Sequence, residues 1–390
     1  MYANKRNFEF GADMIKPEDF YSKLVKKEVD FFTGVPDSLL KDFNAYIMDY
    51  VSADKHVIAA NEGGAIALAS GYHLASGKLG MVYMQNSGQG NAVNPLTSLV
   101  DKEVYSIPML LLIGWRGEPG VHDEPQHVKH GRITLGLLDS LEIPYDVLPN
   151  DNDSMKETLD KAISEAKSNN FPYALVVKKG VFEPYELKNK IKSDYELNRE
   201  RALKIVTSSL NAREVVVSTT GKLSRELFEY REGKKEGHEK DFLTVGSMGY
   251  SSMIALGIAL AKPERKVYCF DGDGALIMHM GNMAIIGQKA PKNFKHIIFN
   301  NGSHESVGGQ PTAASVINIP KIADGCGYKI RFKAETENEI IECMKELKDC
   351  EGPGLLEILV NKVSRKDLGR PSTTPLENKK AFMQFVENDN

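Results

Sequence analysis

The chain has 390 residues, 42% of them hydrophobic, and 49 Lys+Arg against 53 Asp+Glu leave a formal net charge of −4. That is enough chain for two domains, and it offers no basic excess for nucleic acid; the mixed run Arg231-Glu232-Gly233-Lys234-Lys235 reads as a solvated loop. The first twenty residues lack an apolar core, no stretch has the length of a membrane span, and the 4 cysteines have neither disulfide-framework nor zinc spacing, so the expectation is a reduced, cytoplasmic protein with no membrane partner.

Short apolar runs rich in strand formers recur from the start of the chain. Phe31 to Thr33, Val57 to Ala60, Met81 to Met84 and Met109 to Ile113 are predicted as parallel strands alternating with helices. Asp37 follows the first, in Thr33-Gly34-Val35-Pro36-Asp37-Ser38. Glu62 follows the second, in Asn61-Glu62-Gly63-Gly64-Ala65, where an Ala/Gly-rich helix begins. A glutamate there is also a partner for the helix dipole, worth roughly 0.3–1 kcal/mol. Ser154 and Glu157 have the spacing of a capping box opening an amphipathic helix, after which Phe171-Pro172 leads into a strand from Tyr173 to Val177.

Residues 183–201 are polar, charged and without strand pattern, and are read as a linker between a domain at 13–182 and another at 202–375. The second half begins with a strand from Val215 to Val217 and the turn Ser218-Thr219-Thr220-Gly221, whose hydroxyl and N–H groups suit a phosphate as well as a plain turn. It ends as the first half does: Thr336 and Glu339 open a helix to about Lys348, and Gly352-Pro353-Gly354 precedes a strand from Leu355 to Val360. The repeated order of helix, breaker and apolar strand predicts an α/β protein of two similar doubly wound parallel-sheet domains.

Within the second half, Val267 to Phe270 runs into Asp271-Gly272-Asp273-Gly274-Ala275, and His296 to Phe299 runs into Asn300-Asn301. Glycines 272 and 274 let the backbone approach a diphosphate and aim N–H groups at it, while Asp273 is a hard oxygen ligand for Mg²⁺. The Asn301 amide oxygen and a backbone carbonyl near Ser303 suit the same ion. By itself Gly-Asp-Gly is equally an acidic turn. The nicotinamide fingerprint is disfavoured, since it needs glycine where the chain has Ile277.

Gly-Asp-Gly followed at this distance by Asn-Asn resembles the signature of the thiamin diphosphate enzymes. The resemblance implies thiamin diphosphate and Mg²⁺ as cofactors, one domain holding the pyrimidine and the other the diphosphate, and a homo-oligomer, at least a dimer, with active sites between subunits. It implies that Glu62 bonds to pyrimidine N1′ as the catalytic acid. Val245-Gly246-Ser247-Met248-Gly249 resembles the segment that bends the cofactor, so Met248 becomes its wedge and the Gly246 carbonyl accepts from the 4′-amino group. Thr219, Thr220, Gly272, Asp273, Gly274, Ala275 and Asn301 become cofactor ligands, with Asp273, Asn301 and Ser303 on the metal.

The linker has no room for the middle domain of full-size pyruvate decarboxylases. The resemblance therefore narrows to the compact two-domain decarboxylases that act on phosphonopyruvate or sulfopyruvate, and covers nearly the whole chain. Supporting segments are Gln85 to Asn91, Gly114-Trp115-Arg116-Gly117, His304 to Thr312 and Ser364 to Pro371, the last two most similar to the phosphonopyruvate enzymes. Asp37 aligns with an active-site aspartate of the wider family, in a turn one residue shorter, while the family's adjacent histidine pair is absent; His122, His127 and His130 lie in that region. The implied reaction is non-oxidative decarboxylation of 3-phosphonopyruvate to phosphonoacetaldehyde and carbon dioxide in phosphonate biosynthesis, with sulfopyruvate decarboxylation and an acetolactate-type carboligation as alternatives. A substrate with an anionic C3 group calls for basic donors, the candidates being Arg116, His122, His304, Arg365, Lys366 and Arg370. Gly308-Gly309 is a hinge candidate for a lid.

Overall fold

The computed structural model describes residues 14–190 and 193–388. Residue 13, at the expected start of the first domain, and residues 191 and 192 of the expected linker lie outside the described residues. The chain separates into two compact units, Met1–Lys190 and Ile191–Asn390.

The first unit holds strands β1 (Phe31–Gly34), β2 (His56–Ile58), β3 (Gly80–Gln85), β4 (Leu110–Gly114), β5 (Tyr145–Val147) and β6 (Tyr173–Val177), all parallel, in the order β2-β1-β3-β4-β6-β5. The second holds β7 (Val215–Ser218), β8 (Asp241–Leu243), β9 (Val267–Gly272), β10 (Phe294–Asn300), β11 (Ile330–Ala334) and β12 (Gly354–Leu359), ordered β8-β7-β9-β10-β12-β11 when read from the β8 edge. Strand for strand this is the same topology, so the expected pair of similar doubly wound sheets is present.

Both faces of each sheet are buried, which explains the continuous apolar runs. Along β3, Met81 and Tyr83 enter one core cluster while Val82 and Met84 enter another on the opposite face. Along β9, Tyr268 and Phe270 face one cluster, Val267 and Cys269 the other. The helix Glu337–Asp349 has the capping box expected of Thr336 and Glu339. The helix Asn152–Asn169 is capped instead by Asp151, which accepts the Ser154 N–H, so the Ser154 cap is corrected by three residues. A short carboxylate at the N-cap outcompetes the serine inside the first turn. Residues 183–190 and 193–198 carry no named strand or helix, and the helix Arg199–Ser208 takes up the last residues of the expected linker. None of the described helices is long and apolar enough to cross a membrane.

In each sheet the order reverses between neighbouring strands, β1 and β3 in the first, β7 and β9 in the second. The carboxyl ends of strands at such a switch point are where open α/β sheets bind ligands. Asp37 and the Gln85–Asn91 segment lie there in the first unit; Thr219 and the Gly-Asp-Gly lie there in the second.

Candidate functional site

In the second unit, parallel pairing sets Phe299 of β10 beside Gly272 of β9, and Phe270 of β9 beside Ser218 of β7. Three neighbouring strands therefore deliver Asn301, Asp273 and Thr219 to one edge. Asp273 begins the short helix Asp273–Met278 and is 3% exposed. Burial pushes its carboxyl up to about 6, and hydrogen bonds from the Thr312 hydroxyl and the Asn301 and Gly274 backbone pull the other way. Asn301 is buried too; its Oδ1 accepts the Ser303 N–H at 3.0 Å and its Nδ2 donates to Glu305 Oε2 at 3.3 Å. Asp273, Asn301 and Ser303 are thus brought together.

This corner fits a hard cation and a diphosphate. Carboxylate, amide and hydroxyl oxygens are the donors Mg²⁺ prefers. Ser303 Oγ and both amide atoms of Gln310 are buried without a hydrogen-bond partner, a costly state that a ligand would relieve. A Cβ on Gly272 would meet nothing within 4 Å, whereas one on Gly274 would lie 3.2 Å from the His304 ring and 3.5 Å from the Met248 methyl. Gly274 therefore forms a narrow floor beside Met248 and His304, with Ala275 buried behind it.

The segment carrying Gly246 and Met248 makes a tight turn in which Ser247 (φ 51°) and Gly249 (φ 85°) are both left-handed. Only glycine fits at 249, since a Cβ there would sit 2.6 Å from the His279 ring. Met248, half-buried, projects from this turn toward Gly274. On the β7 side the Thr219 N–H is taken by the Phe270 carbonyl at 2.8 Å, leaving the hydroxyl of buried Thr219 and that of half-buried Thr220 as donors. Gly221 (φ 100°) brings this turn near Ser306.

In the first unit, Glu62 is the first residue of the helix Glu62–Ser76, whose N-cap Asn61 accepts the Gly64 N–H at 2.8 Å. Glu62 is 5% exposed, and Asn91 Nδ2 donates to its Oε2 at 2.7 Å. The carboxyl lies over Gly88, where a Cβ would stand 2.3 Å from Oε1. Asn86 ties the same segment to β4: its Nδ2 donates to the Arg116 carbonyl at 2.8 Å and its Oδ1 accepts the Arg116 N–H at 3.2 Å. Asp37 is fully buried, and its Oδ2 accepts the Leu39 and Leu40 N–H groups at 2.9 and 3.3 Å. Burial raises its carboxyl to about 6 against those bonds and the nearby Arg116 charge, and its Oδ1 is without a partner.

The basic candidates are more engaged than sequence suggests. Arg116 forms a fork on Asp123, 2.8 Å from Nε and 2.5 Å from Nη2, and gives Nη1 to Ser38 at 2.7 Å. Arg365 pairs with Glu200 at 2.8 Å and with Glu229. Lys366, Arg370 and His122 are exposed. His304 stands over the Gly274 floor, its imidazole pushed down to about 4 by burial, so it is neutral near pH 7.

Within each unit, several residues that no local spacing singles out hold these side chains. Thr312 holds Asp273, Asn91 holds Glu62, Glu305 holds Asn301, and Lys362 feels the Asp273 charge against a downward push from burial. Their partners lie far along the chain, so local spacing carries no trace of them; the quoted segments Gln85 to Asn91 and His304 to Thr312 were the available pointers. Cys269, Asp271 and His296 also converge despite lacking ligand spacing, with donor atoms within 4.8 Å of one another. They are enclosed in the sheet interior, where His296 reaches the Tyr328 hydroxyl at 3.2 Å and Asp271 at 3.5 Å.

Family comparison agrees with this geometry. Residues 18–138 match the thiamine pyrophosphate enzyme N-terminal TPP binding domain, and residues 219–358 match the corresponding C-terminal TPP binding domain. The chain is 33% identical over 389 residues to a phosphonopyruvate decarboxylase of Streptomyces viridochromogenes, covering 96% of this chain and 95% of that protein. It is likewise 33% identical to the phosphonopyruvate decarboxylase of Streptomyces hygroscopicus, covering 96% and 94%. A sulfopyruvate decarboxylase of Methanosarcina acetivorans is 28% identical, covering 86% and 89%.

Proposed function

The chain belongs to the thiamin pyrophosphate (thiamin diphosphate) enzymes, and from that premise we propose that it decarboxylates 3-phosphonopyruvate, non-oxidatively, to phosphonoacetaldehyde and carbon dioxide. The observation that carries the reading is the buried Asp273–Asn301–Ser303 corner with its orphaned hydroxyl, on a chain of which 96% aligns with each of two phosphonopyruvate decarboxylases.

When bound, thiamin diphosphate supplies the electron sink for the pair released as carbon dioxide leaves. The chain's residues bind, orient and move protons. Asp273, Asn301 and Ser303 would hold Mg²⁺; Gly272, Gly274 and Ala275, with the hydroxyls of Thr219 and Thr220, would cradle the diphosphate. Met248, beside the Gly274 floor, would support the cofactor, and the Gly246 carbonyl would accept from its amino group. The Glu62 carboxyl, pinned by Asn91, holds a proton toward pyrimidine N1′. Asp37, poised near pH 6, is the proton-handling group on the substrate side.

The phosphonate is read by some of Arg116, His122, His304, Arg365, Lys366 and Arg370. His304 has the best-supported claim, since it stands over the Gly274 floor, while Arg116 would have to exchange Asp123. A site too attractive to the substrate carboxylate would oppose its loss, so a neutral imidazole suits this position. Sulfopyruvate is the second reading, on the strength of the Methanosarcina relative. We also place the enzyme in the cytoplasm, as a homo-oligomer in which two subunits share each cofactor.

The test is carbon dioxide release by the full chain with Mg²⁺ and thiamin diphosphate, in wild type and Glu62→Gln. The variant is expected to bind the cofactor and lose roughly 10²–10⁴-fold in turnover, the usual worth of a positioned acid or base. Turnover in Glu62→Gln close to wild type would remove Glu62 from the chemistry.

A further inference from the structure

An amide ligates a cation only through its oxygen, so the Asn301 side chain serves the metal in just one of its two orientations. Hydrogen bonds to the two ends decide which. Ser303 N–H marks the Oδ1 end at 3.0 Å, and Glu305 Oε2 takes the Nδ2 end at 3.3 Å. An ionised carboxylate can only accept, so Glu305 excludes the flipped amide.

Glu305 opens the short 3₁₀ turn Glu305–Val307 and is itself held by two cations. It receives Arg199 Nη1 at 2.7 Å on Oε2 and Lys222 Nζ at 2.7 Å on Oε1. Arg199 is fixed in turn by a bidentate pair with Glu226, both bonds at 2.8 Å, and the two side chains are 11% and 2% exposed. Lys222 also reaches Ser364 Oγ at 2.6 Å. A guanidinium and an ammonium, each at 2.7 Å, make this a carboxylate paired with two cations. Arg199 and Lys222 are each the first residue of a helix, the end where the dipole disfavours a cation. Helix stability does not explain them there, whereas a carboxylate to be clamped does.

We infer that Glu305, clamped by Arg199 and Lys222, is a positioning residue that fixes the Asn301 amide and thereby sets the affinity for the divalent cation. This rests on the proposed role of Asn301 as a metal ligand. Glu305 touches neither the metal nor the substrate, and it acts by holding the ligand's oxygen end inward. Outer-shell partners of this kind typically matter 10–100-fold in metal affinity.

The experiment is Mn²⁺ binding to the full chain with thiamin diphosphate, read as free Mn²⁺ by electron paramagnetic resonance, with turnover measured at saturating Mn²⁺. Glu305→Gln is expected to weaken Mn²⁺ about 10–100-fold while turnover at saturating metal stays within a few-fold. Asn301→Ala should weaken it at least as much, and the double variant should lose no more than Asn301→Ala alone, because Glu305 acts through Asn301. Wild-type Mn²⁺ affinity in Glu305→Gln, or additive losses in the double variant, would overturn the inference. Wild-type affinity in Asn301→Ala would instead remove Asn301 as a ligand, and the inference with it. Should Glu305→Gln fail to fold, Lys222→Met loosens the clamp with Glu305 in place; it must weaken Mn²⁺ in the same direction, and unchanged binding there would refute the idea.

Discussion

The most exacting consequence of the Glu62 geometry falls on a residue with no side chain. Gly88 has φ −73° and ψ −15°, an ordinary right-handed conformation that alanine adopts freely. A methyl added there would stand 2.3 Å from Glu62 Oε1, against about 3.4 Å for ordinary contact, so the carboxyl must retreat by about 1 Å. What it strikes is the Glu62 side chain, with Cγ at 2.6 Å and the carboxyl carbon at 2.5 Å, and no backbone atom, so the backbone can stay where it is. Gly88→Ala should therefore keep its fold, the gain of about 0.4–1 kcal/mol from the stiffer unfolded chain offsetting part of the cost of moving the buried carboxyl. Turnover, however, should fall about 100-fold, the effect typical of a 1 Å misplacement in a catalytic group. Thermal melting and carbon dioxide release measured on one preparation separate the two effects. In a Gly88→Ala/Glu62→Gln double variant the losses should not add, since both act on one carboxyl. Wild-type turnover in Gly88→Ala, or loss of activity together with loss of fold, would refute the argument.

Asn91→Ala removes the other restraint on Glu62, and turnover should fall by roughly tenfold or more with little change in cofactor binding; equal turnover would show that the 2.7 Å bond is incidental. Asp37→Asn should trade activity for stability. The folded carboxyl titrates near 6, above the ordinary 3.8, so folding favours its protonated form; the penalty is absent below about pH 4 and complete above pH 6, on the order of 3 kcal/mol. Melting at pH 7.5 should thus rise in Asp37→Asn, the gain should vanish toward pH 4, and turnover should drop; a pH-independent change in melting would contradict the burial argument. Lys295 is fully buried, with its Nζ on the Cys350 and Gly352 carbonyls at 2.7 and 2.9 Å, so Lys295→Met orphans both and should destabilise the chain by roughly 2–4 kcal/mol in chemical denaturation. Unchanged stability would mean the carbonyls find other donors.

The central strands of both sheets were legible because burial on two faces makes each an unbroken apolar run, as in Met109 to Ile113 and Val267 to Phe270. The strands that sequence did not mark, β5, β8 and β11, are all sheet-edge strands and are short or only half buried. One apolar face is too little signal in three to five residues. The proposed metal and diphosphate corner was legible for a related reason: Gly-Asp-Gly and Asn-Asn sit at strand ends, where neighbours in sequence stay neighbours in space. Thr312 and Glu305, which hold Asp273 and Asn301, and Asn91, which holds Glu62, act through contacts made only in the folded chain. Charge was the least legible property. Arg116 and Arg365 read as donors to an anionic substrate, yet each faces carboxylates of its own unit.

The central claim is chemical, and the most direct measurement is aldehyde release by the purified chain with Mg²⁺ and thiamin diphosphate, comparing phosphonopyruvate, sulfopyruvate and pyruvate at equal concentration. The account predicts a clear preference for phosphonopyruvate, abolished by chelation and restored by Mg²⁺. Preference for sulfopyruvate would move the substrate and leave the corner and Glu62 in place; consumption of pyruvate with a ligated product and no aldehyde would contradict the decarboxylase reading outright.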